Sequence, residues 1–583
     1  MSCQLHLLSV LTPSGESANV KDTHNNMENE RISTQKSVLI YDSLIADFNG
    51  FSGFLIIFDN RIKFTWYMKK FFILTIALAT SLLASAQLKT TVHLHENNAD
   101  GTMIPKEIYG QFSEHLGSCI YGGLWVSPDS DIPNINGYRK DVFEALKELQ
   151  IPVLRWPGGC FADDYHWMDG IGPQEKRTKI SNNTWGGTLE DNSFGTHEFL
   201  NLCEMLGCQP YISGNVGSGT PEEMAKWVEY MTSDSQSTVA DMRRANGREK
   251  PWDVKYFGIG NEAWGCGGNM TPEYYSDLFR RYTTYTRSYN PKFPLWKIAS
   301  GASDYDYNWT ETCMKMIGGR MSAIAVHYYS GVERSEDGLA AHFDDYGYYN
   351  VLSKACGIEP CLQRHIEIMD RYDPDGDVDL FVDEWGTWWA VEPGTNPGHL
   401  FQQNTMRDAM VAALTLNIFH KYTKRIKMAN IAQVVNVLQA MVLTKGNQMV
   451  LTPTYHIFNM YKVHQDAEFI PAEYEVNPIE WTSKGNVPSL SVSASRKGGV
   501  MHVSIVNPSK DEEHTVLLDW DAFKSSGNAK ITGTLLNTAD VHDFNDFGVA
   551  PKVAPREFKD MKKTSKGVEI KMPKASVIVL EIK

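Results

Sequence analysis

Between about residue 106 and 465, short apolar runs alternate with amphipathic stretches. The runs are IYGQFSEH at 108–115, PVLRWPGG at 152–159, PYISGN at 210–215, KYFGIGNE at 255–262, WKIASG at 296–301, AIAVHYY at 323–329 and LFVDEWG at 380–386. An eighth lies within MANIAQVVNVL at 428–438. Between them, apolar residues recur at helical spacing over 138–149, 196–206, 221–231, 272–289 and 402–422. Pro221 and Pro272 each follow a threonine, the pattern of an N-cap with proline in the first turn. Eight strand–helix units in this span predict an α/β fold, a (β/α)8 TIM barrel, over 106–469. A doubly wound sheet would want a glycine-rich phosphate turn after its first strand, and there is none.

After about residue 470 the helical period gives way to alternation. SLSVSASR at 489–496, MHVSIVNP at 501–508, HTVLLDW at 514–520, KITGTLLN at 530–537, VEIKMP at 568–573 and SVIVLEIK at 576–583 predict a C-terminal, jelly-roll-like β-sandwich over 470–583. QLKTTVHLHE at 87–96 alternates without a helical partner. The expectation is that 87–105 adds a strand to that sandwich.

The remaining N-terminal pattern is different in kind. Met68 is followed by Lys69 and Lys70, an apolar run from Phe71 to Leu83, and Ala84-Ser85-Ala86. That is the n-region, h-region and small-residue cleavage site of a secretory signal peptide, and the run is too short for a membrane span. The expectations are a signal peptide over 68–86, export to the periplasm or beyond, and a misassigned upstream start for 1–67, which show no sustained period.

Composition narrows the function. The 583 residues are 42% hydrophobic and 21% charged, a globular composition that excludes a disordered or collagen-like chain. A formal charge of −15 argues against a nucleic-acid partner, which needs a basic face. Beyond Cys3, cysteines stand at 119, 160, 203, 208, 266, 313, 356 and 361, without the spacing of a disulfide framework. Cys356 and Cys361 either pair or stay buried thiols. No CxxC pair or HExxH motif appears, so no metal is expected.

Barrel enzymes place their chemistry at the C-terminal strand ends. Two of those ends carry a glutamate directly after an apolar run: Glu262 in GIGNE and Glu384 in FVDE. Such a carboxyl pair suits glycoside hydrolysis. A separation of roughly 5–5.5 Å would mean retention and 6.5 Å or more inversion.

The words around these residues carry a resemblance. YGQFSEHLG at 109–117, IYGGLWV at 120–126, RWPGGCFADDYHWMDGIGP at 155–173, NSFGTHEF at 192–199, GNEAWGCGGNM at 260–270, VDEWGTWW at 382–389 and AQVVNVL at 432–438 resemble glycoside hydrolase family 51, chiefly α-L-arabinofuranosidases. The resemblance implies retaining chemistry with Glu262 as acid/base, Glu384 as nucleophile and no cofactor. It implies sugar-binding roles for Glu114, Asn261, Trp388 and Gln433, roles in orienting the nucleophile and the sugar for His327 and Tyr329, and a small sugar-contacting side chain at Cys160. Trp185 either lines the outer site or is core. A reactive thiol at Cys160 lacks an adjacent base, and His115 and His166 read as hydrogen-bonding rim residues. The implied activity is exo-release of terminal arabinofuranose from arabinan, arabinoxylan or oligosaccharides. An endo-glucanase, a xylosidase or a non-catalytic sugar binder is the alternative. The resemblance also implies self-association, hexamers included, with no nucleic-acid or membrane partner.

Overall fold

The computed structural model describes residues 88–96, 99–331, 338–479, 481, 486–520 and 529–583. The expectations for 1–67 and 68–86 lie outside these residues. Eight parallel strands close into a barrel: Gly110–Phe112, Val153–Trp156, Gln209–Gly214, Tyr256–Ile259, Trp296–Ser303, Ala323–Ser330, Asp379–Thr387 and Ile426–Ala432. Each of the eight apolar runs supplies one strand, in chain order, and the first pairs with the eighth to complete the ring.

The floor of the barrel is a layer of inward side chains, Val153, Tyr211, Tyr256, Ile298, Ala323, Phe381 and Met428. The lumen is therefore filled below, and the polar site described next sits above that plug. The helices at Pro221–Thr232 and Pro272–Tyr285 begin as predicted. Thr220 accepts from the Glu223 amide and Thr271 from the Tyr274 amide, each satisfying a free N-terminal N–H. A 28-residue helix, Asp345–Tyr372, not among those expected from the sequence, carries Pro360 in its interior.

Beyond the barrel, two sheets pack face to face. One has five strands and takes Leu88–Leu94 in parallel alongside His514–Trp520. The other has seven and includes Met103–Ile104, Ala467–Ile470 and Ser576–Ile582. The sandwich thus takes strands from both ends of the described chain. Helix Met406–Lys421 is buried along almost its whole length between barrel and sandwich. No helix among the described residues is long and apolar enough to cross a membrane.

Candidate active site

The seventh strand carries one more residue than the sixth between two register points. Ala325 faces Phe381, but His327 faces Glu384. Strict alternation would send Asp383 and Glu384 to opposite sides. The extra residue breaks the alternation and lets both point into the lumen, the usual effect of a bulge beside a site.

Glu384 is buried. Its Oε1 accepts from Arg155 Nη1 at 2.8 Å, and its Oε2 accepts from the Tyr329 hydroxyl at 2.8 Å. Arg155, on the second strand, is fully buried over the Phe112 ring at 4.6 Å. It also donates to the Asp383 carbonyl at 3.1 Å and, through Nη2, to Asn261 Oδ1 at 2.5 Å. A buried guanidinium needs acids around it, and here Asp383 and Glu384 hold it charged.

Glu262 follows the fourth strand with φ at +40°. A non-glycine residue there stores of order 1–3 kcal/mol of strain. Its Oε1 lies 2.8 Å from His327 Nδ1, which is also 3.5 Å from Glu384 Oε2. His327 Nε2 contacts Asp383 Oδ1 at 3.0 Å. Burial works to lower the His327 pKa, but the Glu384 charge and the hydrogen bonds to Asp383 and Glu262 lift it to about 10. His327 is therefore a cation that donates from both ring nitrogens. Glu262 is pushed up by burial and by the Glu384 charge, against the His327 cation. One oxygen of Glu262 lies within 4.8 Å of one oxygen of Glu384.

Glu114, after the first strand, is buried. Its Oε1 accepts from the Phe161 amide at 3.0 Å and Trp185 Nε1 at 2.8 Å, and its Oε2 from Gln433 Nε2 at 3.0 Å. Burial lifts it to about 7 against those donors. Gly159 makes room for it, since a Cβ there would lie 2.6 Å from Glu114 Oε2. The buried polar atoms without a hydrogen-bond partner among the described residues include Asn261 Nδ2, a donor, and Gln433 Oε1, an acceptor. Unmet buried groups of this kind suit the hydroxyls of a bound sugar. Trp388 stands edge-on to Tyr329, 5.1 Å between centroids and 40% exposed, as an open wall.

All ten residues singled out from sequence lie at this barrel mouth or on the loops around it, Cys160 with a correction. Cys160 is bonded to Cys266, a pairing that the spacing did not suggest. Their sulfurs approach Glu262 Oε2 at 3.9 and 3.5 Å, and a disulfide has no hydrogen to donate. Cys356 and Cys361 are free thiols. His115 is not a rim residue. It is fully buried, with Nδ1 at 3.2 Å from Glu190 and Nε2 accepting from Trp156 Nε1. His166 is half-buried beside Glu223.

Sequence reasoning missed Arg155, Asp383, Asp163 and Cys266. Asp163 accepts the amides of Val216, Gly217 and Asn261, which ties together the loops after the second, third and fourth strands. The one available signal was an arginine inside an apolar strand, which demands a buried acid. Among the described residues two sets of metal-ligating atoms converge, Cys160–Glu262–Cys266 and Glu262–His327–Glu384. The second set is already spent on its own hydrogen bonds.

Comparison with known proteins matches this layout. Residues 145–350 match the α-L-arabinofuranosidase 1 domain, and 383–576 the α-L-arabinofuranosidase C-terminal domain. The latter match begins inside the seventh barrel strand. A Bacteroides ovatus protein named intracellular exo-α-L-arabinofuranosidase is 55% identical, over 88% of this chain and 99% of its own. The crystal structure of the GH51 arabinofuranosidase from Xanthomonas axonopodis pv. citri is 44% identical with a TM-score of 0.82, covering 85% of this chain and all of that one. A Thermotoga maritima α-L-arabinofuranosidase, solved as an arabinose complex, is 27% identical with a TM-score of 0.73, covering 84% and 99%. The Bacteroides ovatus relative corrects the expectation of export, because its name places it inside the cell.

Proposed function

The chain belongs to the α-L-arabinofuranosidases of glycoside hydrolase family 51, and from that we propose that Glu384 and Glu262 perform a double displacement on a terminal arabinofuranosyl residue. The enzyme is an exo-acting α-L-arabinofuranosidase. The observation that carries the mechanism is the carboxyl separation. One oxygen of each lies within 4.8 Å of the other, on the short side of the roughly 6.5 Å or more that an inverting pair needs, which supports the retaining reading.

Glu384 attacks the anomeric carbon with an oxygen aligned by Arg155 and Tyr329. Glu262 gives its proton to the leaving oxygen, and burial together with the Glu384 charge keeps that proton available. Once Glu384 is esterified its charge is gone, the support for a raised Glu262 pKa falls, and Glu262 acts as base on the incoming water. Asn261 Nδ2 meets the sugar 2-hydroxyl, a contact that strengthens in the transition state. Glu114 and Gln433 hold the far hydroxyls, with Trp185 locking Glu114, while Trp388 and the Cys160 loop wall the pocket. Catalysis belongs to residues 106–469, supported by the sandwich. Arabinan, arabinoxylan and their oligosaccharides are the proposed substrates, and self-association is the proposed assembly, which light scattering tests.

Azide rescue separates the two carboxylates. Glu384→Ala is expected to lose roughly 10⁴-fold in kcat or more and, with azide, to yield the inverted arabinofuranosyl azide. Glu262→Ala with azide yields the retained one. Near-normal turnover by Glu384→Ala, or one azide anomer from both variants, rejects the assignment.

A further inference from the structure

We propose that the reduced enzyme carries a thiophilic metal site, in which Cys160, Cys266 and the Glu262 carboxylate bind one zinc ion and stop hydrolysis. Glu262 presents its two oxygens to different neighbours. Oε1 is held by His327, while Oε2 faces both sulfurs of the disulfide at 3.9 and 3.5 Å. One atom from each of the three residues lies within 4.8 Å of the others. The two Cα atoms are 5.4 Å apart. Sulfurs on a tetrahedral zinc sit about 3.8 Å apart at Zn–S distances of about 2.3 Å, and side-chain rotation opens the pair to that span without moving the backbone.

Two thiolates and a carboxylate are a donor set that favours zinc over magnesium or calcium, and three protein ligands leave the fourth position to water. The bridge is also open to a reductant. Cys266 is exposed, so solvent-borne reagents reach its sulfur. A dithiol supplies the two electrons by exchange: the Cys160–Cys266 bond breaks, two thiols form, and the dithiol ends as its own disulfide. Zinc then displaces the two thiol protons to solvent. A Glu262 oxygen bound to zinc holds no proton to give.

The test uses the full chain, stripped of metal with a chelator and then either left oxidised or reduced with a phosphine. Cobalt(II) reports the site independently of turnover, through the near-ultraviolet sulfur-to-cobalt absorption. The expected result is one cobalt or zinc per chain in the reduced enzyme, with that absorption, and none in the oxidised enzyme. Cys266→Ser is expected to lose the absorption and at least tenfold in zinc affinity. If that variant fails to fold, reduced enzyme alkylated at Cys266 takes its place. No metal uptake by the reduced enzyme overturns the proposal. So does uptake that survives the loss of Cys266, which would place the metal elsewhere, for instance at the buried Cys203 and Cys208. The activity arm, an expected loss of at least tenfold at one zinc per chain that the chelator reverses, rests on the acid/base reading of Glu262. Cobalt absorption with undiminished hydrolysis would refute that reading and the inhibition while leaving the site.

Discussion

At the scale of single residues, the site is an exchange of charge around His327. Its cation is sustained by Glu384, Asp383 and Glu262, and in turn it pulls the Glu262 pKa down. His327→Gln keeps a donor and removes the charge. Glu262 then has burial and Glu384 raising it with less opposition, so the alkaline limb of kcat/KM is expected to move to higher pH as kcat falls. An unmoved limb would show that His327 does not act through Glu262. Asn261 is a second case. Arg155 occupies its Oδ1, so only Nδ2 is left for a ligand. Asn261→Ala is expected to cost roughly 10²-fold or more in kcat, because the contact it loses belongs to the transition state; arabinose affinity, read by calorimetry, should fall far less. Glu262 and Glu384 were legible in the sequence because each stands at the end of an apolar run, where a barrel puts its chemistry, and His327 through the family resemblance. Arg155 and Asp383 were not. Asp383 precedes Glu384, and a period of two assigns neighbours to opposite faces unless a bulge intervenes.

At the scale of elements, the eight strands and five of the helices could be read because their periods differ and because threonine–proline pairs mark two starts. What could not be read was irregularity inside the strands. Between Ala299 and Ala302 the fifth strand slips against the sixth, one residue extra, as the seventh does. Gly301 sits in that slip, and a Cβ there would lie 1.4 Å from the Ala325 carbonyl oxygen. Backbone cannot yield as a side-chain tip does. Gly301→Ala is therefore expected to destabilise the fold by about 1–3 kcal/mol. It should also lower kcat, because the sixth strand displaced by the new methyl carries His327. A melting temperature equal to that of the parent would mean the slip is not packed as described. The disulfide was hidden for a related reason. Its partners are 106 residues apart, on loops that become neighbours only when the barrel closes.

At the scale of the molecule, barrel and sandwich meet through a polar seam that no local pattern announces. His420, near the end of helix Met406–Lys421, contacts the Tyr109 hydroxyl through Nε2 and Ser493 Oγ through Nδ1, each at 2.8 Å. His464 contacts Ser495 and Ser504. Both rings are fully buried, which lowers His420 to about 3 and His464 well below its usual value. The sign follows from which state takes the proton. Above pH 6.5 the ring is neutral folded and unfolded, and the seam costs nothing. Below it, the unfolded chain binds a proton that the folded chain refuses, so stability is lost steadily down to about pH 3. For His420 the loss at pH 5 is about 2 kcal/mol. Glu114 and Asp163, each lifted to about 7 chiefly by burial, act the other way, since the folded state holds their protons. Total stability against pH therefore mixes both signs, and the informative quantity is the difference between two proteins. His420→Gln keeps a donor and an acceptor at the seam but cannot titrate. Between pH 7 and 5 it is expected to lose about 2 kcal/mol less unfolding free energy than the parent, measured by urea titration at both pH values. Equal losses would mean that the His420 ring takes up its proton while the seam stays closed.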